Sequence, residues 1–308
     1  MKIAILDFGT NTFNLLIADT GKPDKINYIH TSKEPVKLGE GGIIKGLITP
    51  EAMDRGIAAI GKQYEKIREL KAEKVYAYAT SAIREAKNGR EFMKLVREKF
   101  DLYVNIIPGD REAELIYKGV RQTCDFNDRK ALILDIGGGS NEFIIADRSR
   151  IYWKESYKLG MARMLEQFKP DDPVSSETVE EIELYLQHEL TTLFDAINKY
   201  SPEFLVGASG SFETFYALLS HKLPEKYTDG GRLNKEIFSE DFRGLYQILL
   251  KSTIEERKKM KGMEPVRVEM IVLAAIFVNF TIRKCKLQKI MYSDYALKEG
   301  IVAELFNL

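Results

Sequence analysis

The chain has 308 residues, 44% of them hydrophobic, enough for two packed domains and too many for a disordered chain. Its 46 basic and 46 acidic residues cancel, so no basic excess points to nucleic acid or a membrane surface. Two cysteines, Cys124 and Cys285, stand far apart, which offers neither a disulfide framework nor zinc spacing and sets a reducing cytoplasm as the expectation.

Residues 3–8 (IAILDF) read as a buried strand, which leaves no room for a signal peptide. A turn at Gly9-Thr10-Asn11, a strand at 13–19 and a third at 25–31 complete a meander, followed by a glycine-rich loop at 34–42. Thr49 and Pro50 predict the start of a helix that runs to about residue 70. A strand at 74–79 leads through Thr80-Ser81, read as turn and N-cap, into a short helix carrying Arg84. A helix at 90–99, a strand at 102–107 and a helix at 111–122 capped by Asp110 follow. Strands alternating with helices imply a sheet covered by helices, with parallel pairing after the meander.

The pattern then restarts with strands at 130–136, 141–147 and 150–157, and helices at 160–168 and 175–199. A strand at 203–207 precedes Ala208-Ser209-Gly210 and a helix at 211–220. Residues 221–237 read as an insertion or loop. Helices at 239–260 and 265–284, a strand at 288–293 and a helix at 294–306 close the chain. The longest apolar run, Met270 to Val278, is about half a membrane span.

The restart is visible residue by residue. IAILDFGTNTFNLLIAD at 3–19 lies over ALILDIGGGSNEFIIAD at 131–147 without a gap, with Ile5, Leu6, Asp7, Gly9, Ile17, Ala18 and Asp19 repeated. Each copy is a strand, a glycine turn and a second strand. Glycine lets successive backbone N–H groups approach an anion, while an aspartate at the strand end offers a hard oxygen. Glycine hairpins also occur for geometry alone, and aspartate often caps a strand-end turn. The duplication weighs against both of these readings. Two facing halves would form a cleft lined by two phosphate-binding hairpins, the architecture of the actin-like, sugar-kinase and chaperone ATPase superfamily. The expected fold is therefore α/β: duplicated ribonuclease H-like domains, each a mixed sheet opening with a hairpin meander and flanked by helices. The first would span 1–120, joined by the C-terminal helix 296–308, and the second 121–295.

Several segments then narrow the reading. DFGTNTFNLLI at 7–17, KLGEG at 37–41, ATSAIREAKN at 79–88, PGDREAELIYKGV at 108–120, DIGGGSNEF at 135–143, GASGS at 207–211 and SDYALKEG at 293–300 together resemble the exopolyphosphatase/guanosine pentaphosphate phosphohydrolase (Ppx/GppA) family. The resemblance implies a phosphohydrolase that removes the terminal phosphate of inorganic polyphosphate, of guanosine pentaphosphate, or of both. It implies Glu112 as general base for the attacking water, although acids also favour a first helical turn for its dipole. Asp7, Asp135 and Glu142 look like the magnesium side of the cleft. Gly9, Thr10, Asn11, Gly137, Gly138, Gly139 and Ser140 would hold phosphates through backbone N–H and hydroxyl groups, with Ser81 and Arg84 adding a helix N-terminus and a bidentate cation. Arg267 and Lys37 are weaker phosphate candidates and fit solvated charges equally well. The family often has Arg or His where this chain has Asn14, which puts a cationic contact there in doubt.

The expected cofactor is Mg²⁺ or another divalent ion. The expected partners are polyphosphate and guanosine penta- or tetraphosphate, with no nucleic acid or membrane, in a monomer or homodimer. An alarmone sensor with little turnover, a small-molecule kinase of the same fold and an assembling actin-like ATPase stay open as rivals.

Overall fold

A computed structural model describes residues 1–22, 25–228, 231 and 233–308. The opening meander forms as β1 (Lys2–Phe8), β2 (Thr12–Lys22) and β3 (Lys25–Pro35), which takes the first residues of the expected loop at 34–42 into the strand. β4 (Lys74–Ala79) and β5 (Val104–Ile106) add in parallel to give the sheet order β3-β2-β1-β4-β5. Its helices are α1 (Pro50–Glu69), α2 (Ser81–Glu85), α3 (Gly89–Phe100) and α4 (Gly109–Val120). Thr49 caps α1 as expected, accepting from the Ala52 N–H at 3.2 Å. Asp110 does not cap α4. Pro108 holds the N-cap position, and Asp110 and Glu112 lie within the first turn.

The second sheet is built on β6 (Ala131–Ile136), β7 (Asn141–Ala146) and β8 (Ile151–Tyr157), with β9 (Phe204–Ala208), β10 (Asn234–Ile237) and β11 (Ile290–Ser293). Its order is β10-β11-β9-β6-β7-β8. Every residue of β6 is buried, as a central strand covered on both faces requires. The gap-free repeat is a true structural correspondence: Asp7 pairs with Asn14 across the first hairpin, and Asp135 with Glu142 across the second. The result is the two-domain α/β actin-like fold.

The remaining helices are α5 (Met161–Phe168), α6 (Ser176–Glu189), α7 (Thr191–Tyr200), α8 (Gly210–Lys222), α9 (Ser239–Lys251), α10 (Ile254–Lys258), α11 (Ile271–Cys285) and α12 (Leu297–Leu305). Four expectations are corrected here. The helix over 175–199 is two, because the chain bends at Leu190 (φ −97, ψ 23) so that Leu186, Leu190 and Leu193 all enter the core. The helix over 239–260 breaks at Ser252, because Thr253 starts a new helix through a capping box with Glu256. The helix over 265–284 begins as a short 3-10 turn, Pro265–Arg267, and becomes α-helical only at Ile271. The expected loop at 221–237 ends in a strand, β10, paired with β11; residues 229, 230 and 232 lie outside the described residues.

The position of α4 and α12 decides how the site is assembled. Both contribute to a core that also takes residues from β1, β2, β6, β7 and β9, so this pair of helices lies between the two sheets. They touch backbone to backbone at two glycines. A Cβ on Gly119 would sit 2.0 Å from the Ala296 carbonyl oxygen, and one on Gly300 would sit 1.7 Å from that of Leu115. Neither carbonyl can rotate away. Gly300→Ala is therefore expected to destabilise the protein by about 3 kcal/mol or more, read from the midpoint of denaturant unfolding, while an alanine at the open position Gly244 costs nothing comparable.

Candidate active site between the two sheets

β1 and β6 end at the same place, and their penultimate residues, Asp7 and Asp135, face a common cavity of 320 Å³. Ligands in open α/β sheets bind outside the carboxyl ends of the strands, and both hairpin turns lie there. Gly9, Thr10 and Asn11 line it from one side and Gly137, Gly138, Gly139 and Ser140 from the other. The turns are in van der Waals contact. A Cβ on Gly138 would meet Asn11 Nδ2 at 2.6 Å, and one on Gly139 would meet Ser81 Oγ at 2.5 Å and Thr10 Oγ1 at 2.7 Å. The glycines thus serve close approach of the two halves as well as turn geometry.

Glu112 enters this cavity from the first turn of α4 and is buried. Its Oε2 accepts from Arg84 Nη1 at 2.9 Å. Arg84 is therefore placed differently from the expectation: its guanidinium donates to Glu112, to the Ile107 carbonyl at 2.9 Å and to Glu85, and it does not line the cavity. It fixes the carboxylate from behind. Burial pushes the Glu112 carboxyl well above the usual range; the charges of Glu142 and then Asp135 push the same way, and Arg84 opposes them.

Glu142 lies across the hairpin from Asp135, off the cavity lining, with Oε1 accepting from Ser140 Oγ and Ser156 Oγ, each at 2.7 Å. Burial and then Asp135 raise it to about 7, against those two hydroxyls. The Ser140 hydroxyl proton is thereby committed to Glu142. Because Glu142 raises Glu112, Glu142→Gln is expected to lower the Glu112 pKa. The acid limb of the kcat/KM–pH profile should then move to lower pH, provided Glu112 works unprotonated.

Burial raises Asp7, which accepts from Asn14 Nδ2 at 2.9 Å, and raises Asp135 to about 6. Asn14 thus spends one amide N–H on the aspartate while lining the cavity itself. Among the described residues no three His, Cys, Asp or Glu side chains come together as a metal cage, so Glu142 does not join the two aspartates in one cluster. Asp7 and Asp135 alone still fit magnesium, which takes one or two carboxylates plus substrate phosphate and keeps several waters.

Ser81 Oγ is buried at the cavity wall with no hydrogen-bond partner among the described residues. An orphaned hydroxyl there matches a ligand oxygen. Arg267 also lines the cavity, donating to Ser211 Oγ at 3.3 Å, with its buried Nε 3.4 Å from Glu264 Oε2 as an ion pair without a hydrogen bond; Gly210 leaves space for it. Lys37 does not reach the cavity and pairs with Glu269 at 3.1 Å across the cleft.

Sequence reasoning passed over Lys298, which lines the cavity from the first turn of α12. The segment SDYALKEG was noted, but nothing in it distinguishes a cleft lysine from a solvated one. Lys33 was missed too: it bridges from β3 to Glu213 on α8 and to Glu264.

The sequence pattern described as the Ppx/GppA phosphatase family matches residues 16–307. The chain belongs to that family. A structure of an exopolyphosphatase from Cytophaga hutchinsonii superposes with a TM-score of 0.97 at 34% identity, covering 100% of this chain and 98% of that one. The Ppx/GppA family member of Aquifex aeolicus gives a TM-score of 0.80 at 25% identity, covering 100% and 98%. A putative exopolyphosphatase of Haemophilus influenzae is 28% identical, over 99% of this chain and 91% of its own. Like these relatives, this Ppx/GppA chain is a phosphohydrolase by family. Among its described residues no helix is long and apolar enough to cross a membrane. Burial pushes the thiols of Cys124 and Cys285 up to about 12, so neither offers a reactive thiolate.

Proposed function

We propose that this chain removes the terminal phosphate of inorganic polyphosphate, or of guanosine pentaphosphate, by direct attack of water. The carrying observation is Glu112, a buried carboxylate with a raised pKa, held by Arg84 and opening onto a cavity lined by two glycine turns. Glu112 takes a proton from the water as its oxygen bonds to the terminal phosphorus. The bridging P–O bond breaks in line, and the shortened chain leaves with the electron pair. The Gly9 and Gly137 N–H groups close their own hairpins on the Thr12 and Ser140 carbonyls, so the other N–H groups of the turns, with Ser81 Oγ and Arg267, hold the phosphate oxygens and stabilise their charge. A divalent ion, Mg²⁺ on this reading, would be held by Asp7 and Asp135 and would neutralise phosphate charge when bound. The first domain would then comprise 1–120 with the C-terminal helix and the second 121–295, and the protein would act in the cytoplasm.

A second observation favours the nucleotide as an additional substrate. A groove of 560 Å³ continues from the cleft, sharing Thr12 and Lys33 with it. Pro35 and Val36 line it from one side, Pro265 and Val266 from the other. Its cations are already paired: Lys33 with Glu213 and Glu264, Lys37 with Glu269, and Arg55 with Glu40. Such a groove suits an organic ring better than further phosphates. The test is phosphate release from polyphosphate and from guanosine pentaphosphate, each with and without Mg²⁺ and with no ATP or acceptor added. Release that depends on the ion supports the reading. Binding of the nucleotide without turnover of either substrate would favour a sensor.

A further inference from the structure

The cavity holds more negative charge than its phosphate-binding role explains. Asp7, Asp135 and Glu112 are all buried at its wall. Carboxylates taken out of water need a positive partner, and Arg84 and Arg267 are held to Glu112 and Ser211. Lys33, which also lines the cavity, is paired with Glu213 and Glu264, so among the described residues the lining cation without a hydrogen-bonded partner is Lys298. Its side chain is 19% exposed and lines the same cavity. The nearest carboxylate oxygen paired with it, Glu299 Oε1, is 4.0 Å away, beyond a hydrogen bond, and Glu299 is itself occupied in capping the Ala296 N–H at 2.9 Å. Among the described residues no hydrogen bond fixes the ammonium, and its side chain shares the wall of one cavity with Asp7, Asp135, Glu213 and Glu299. The Gly119–Gly300 contact locks α12 to α4, so the lysine stem starts from a fixed point relative to Glu112, and no hydrogen bond among the described residues ties its head to one acceptor.

We propose that Lys298 is the resident counter-cation of the cleft: with no substrate present its ammonium neutralises Asp7 and Asp135 and opposes a bare divalent ion, so that the ion enters together with a substrate phosphate. The proposal rests on the metal-assisted reading given above. A compact ammonium on a four-carbon stem suits the task, because it can swing toward phosphate oxygens once the carboxylates are otherwise compensated. A fixed guanidinium, like those of Arg84 and Arg267, could not. The arrangement keeps the cleft from holding an idle ion and couples metal capture to substrate.

The test is Mn²⁺ binding to the full chain, followed by the loss of its free electron-paramagnetic-resonance signal. Wild type, Lys298→Met and Lys298→Arg are compared, with and without methylene-bridged tripolyphosphate, which cannot be hydrolysed at the bridge. Without the analogue, Lys298→Met is expected to bind Mn²⁺ at least about tenfold tighter than wild type, and Lys298→Arg no tighter. With the analogue, wild-type affinity should rise at least about tenfold. Equal Mn²⁺ affinity of wild type and Lys298→Met overturns the proposal and leaves metal-assisted hydrolysis standing. Tight binding by wild type alone overturns it too, even if Lys298→Met does not fold. Absence of Mn²⁺ binding by any variant, with or without the analogue, overturns both the proposal and the metal-assisted reading.

Discussion

Glu112→Gln is expected to lower kcat for phosphate release by about 10²–10⁴-fold while leaving substrate affinity within a few-fold of wild type. Glutamine keeps the shape and can still sit against Arg84, but it cannot take a proton. The reason for a large effect lies in how the carboxylate is held. It is buried, its pKa is raised by burial and by Glu142, and Arg84 holds it through Nη1 at 2.9 Å. A single-turnover measurement of phosphate release, beside equilibrium binding of a non-hydrolysable analogue, separates the two quantities. Unchanged kcat would remove Glu112 from the proton transfer.

The second large effect is steric. Gly139→Val would place Cβ 2.5 Å from Ser81 Oγ, 2.7 Å from Thr10 Oγ1 and 2.9 Å from Ser81 Cβ. Ser81 and Thr10 belong to the first sheet's half and Gly139 to the second, so the valine would hold the two turns apart. Misplacing reacting groups by about an ångström costs on the order of 10²-fold, and a loss of that size in kcat/KM is expected. The clash lies across the cleft rather than inside either core, so the melting temperature should change little. A large fall in melting temperature with proportionate loss of activity would mean that the contact serves folding instead.

How much of this could be read beforehand depends on whether the signal was local. The two hairpins were legible because strand, glycine turn and strand are consecutive, and their gap-free alignment matched Asp7 with Asp135 and Asn14 with Glu142, which the structure then pairs across each hairpin. The capping box at Thr253 and Glu256 was equally local, but an unbroken helical spacing hid it. What was not legible is tertiary. Arg84 meets Glu112 only because β5 and α4 bring it back, so a residue expected to hold phosphate is found holding the Glu112 carboxylate. Ser140 follows the glycines like a phosphate ligand, yet it donates to Glu142 two residues on. Lys298 becomes a cleft residue only because α12 packs on α4 through Gly119 and Gly300, a contact that no spacing in the chain announces.

The central claim is that water attacks the terminal phosphorus, and isotope position tests it most directly. Polyphosphate is hydrolysed in ¹⁸O-water with Mg²⁺ and no acceptor, and the early products are read by mass spectrometry. The account predicts one solvent ¹⁸O in each released phosphate and none in the shortened chain. Label at the end of the shortened chain, or no release until an acceptor or nucleotide is added, would contradict it.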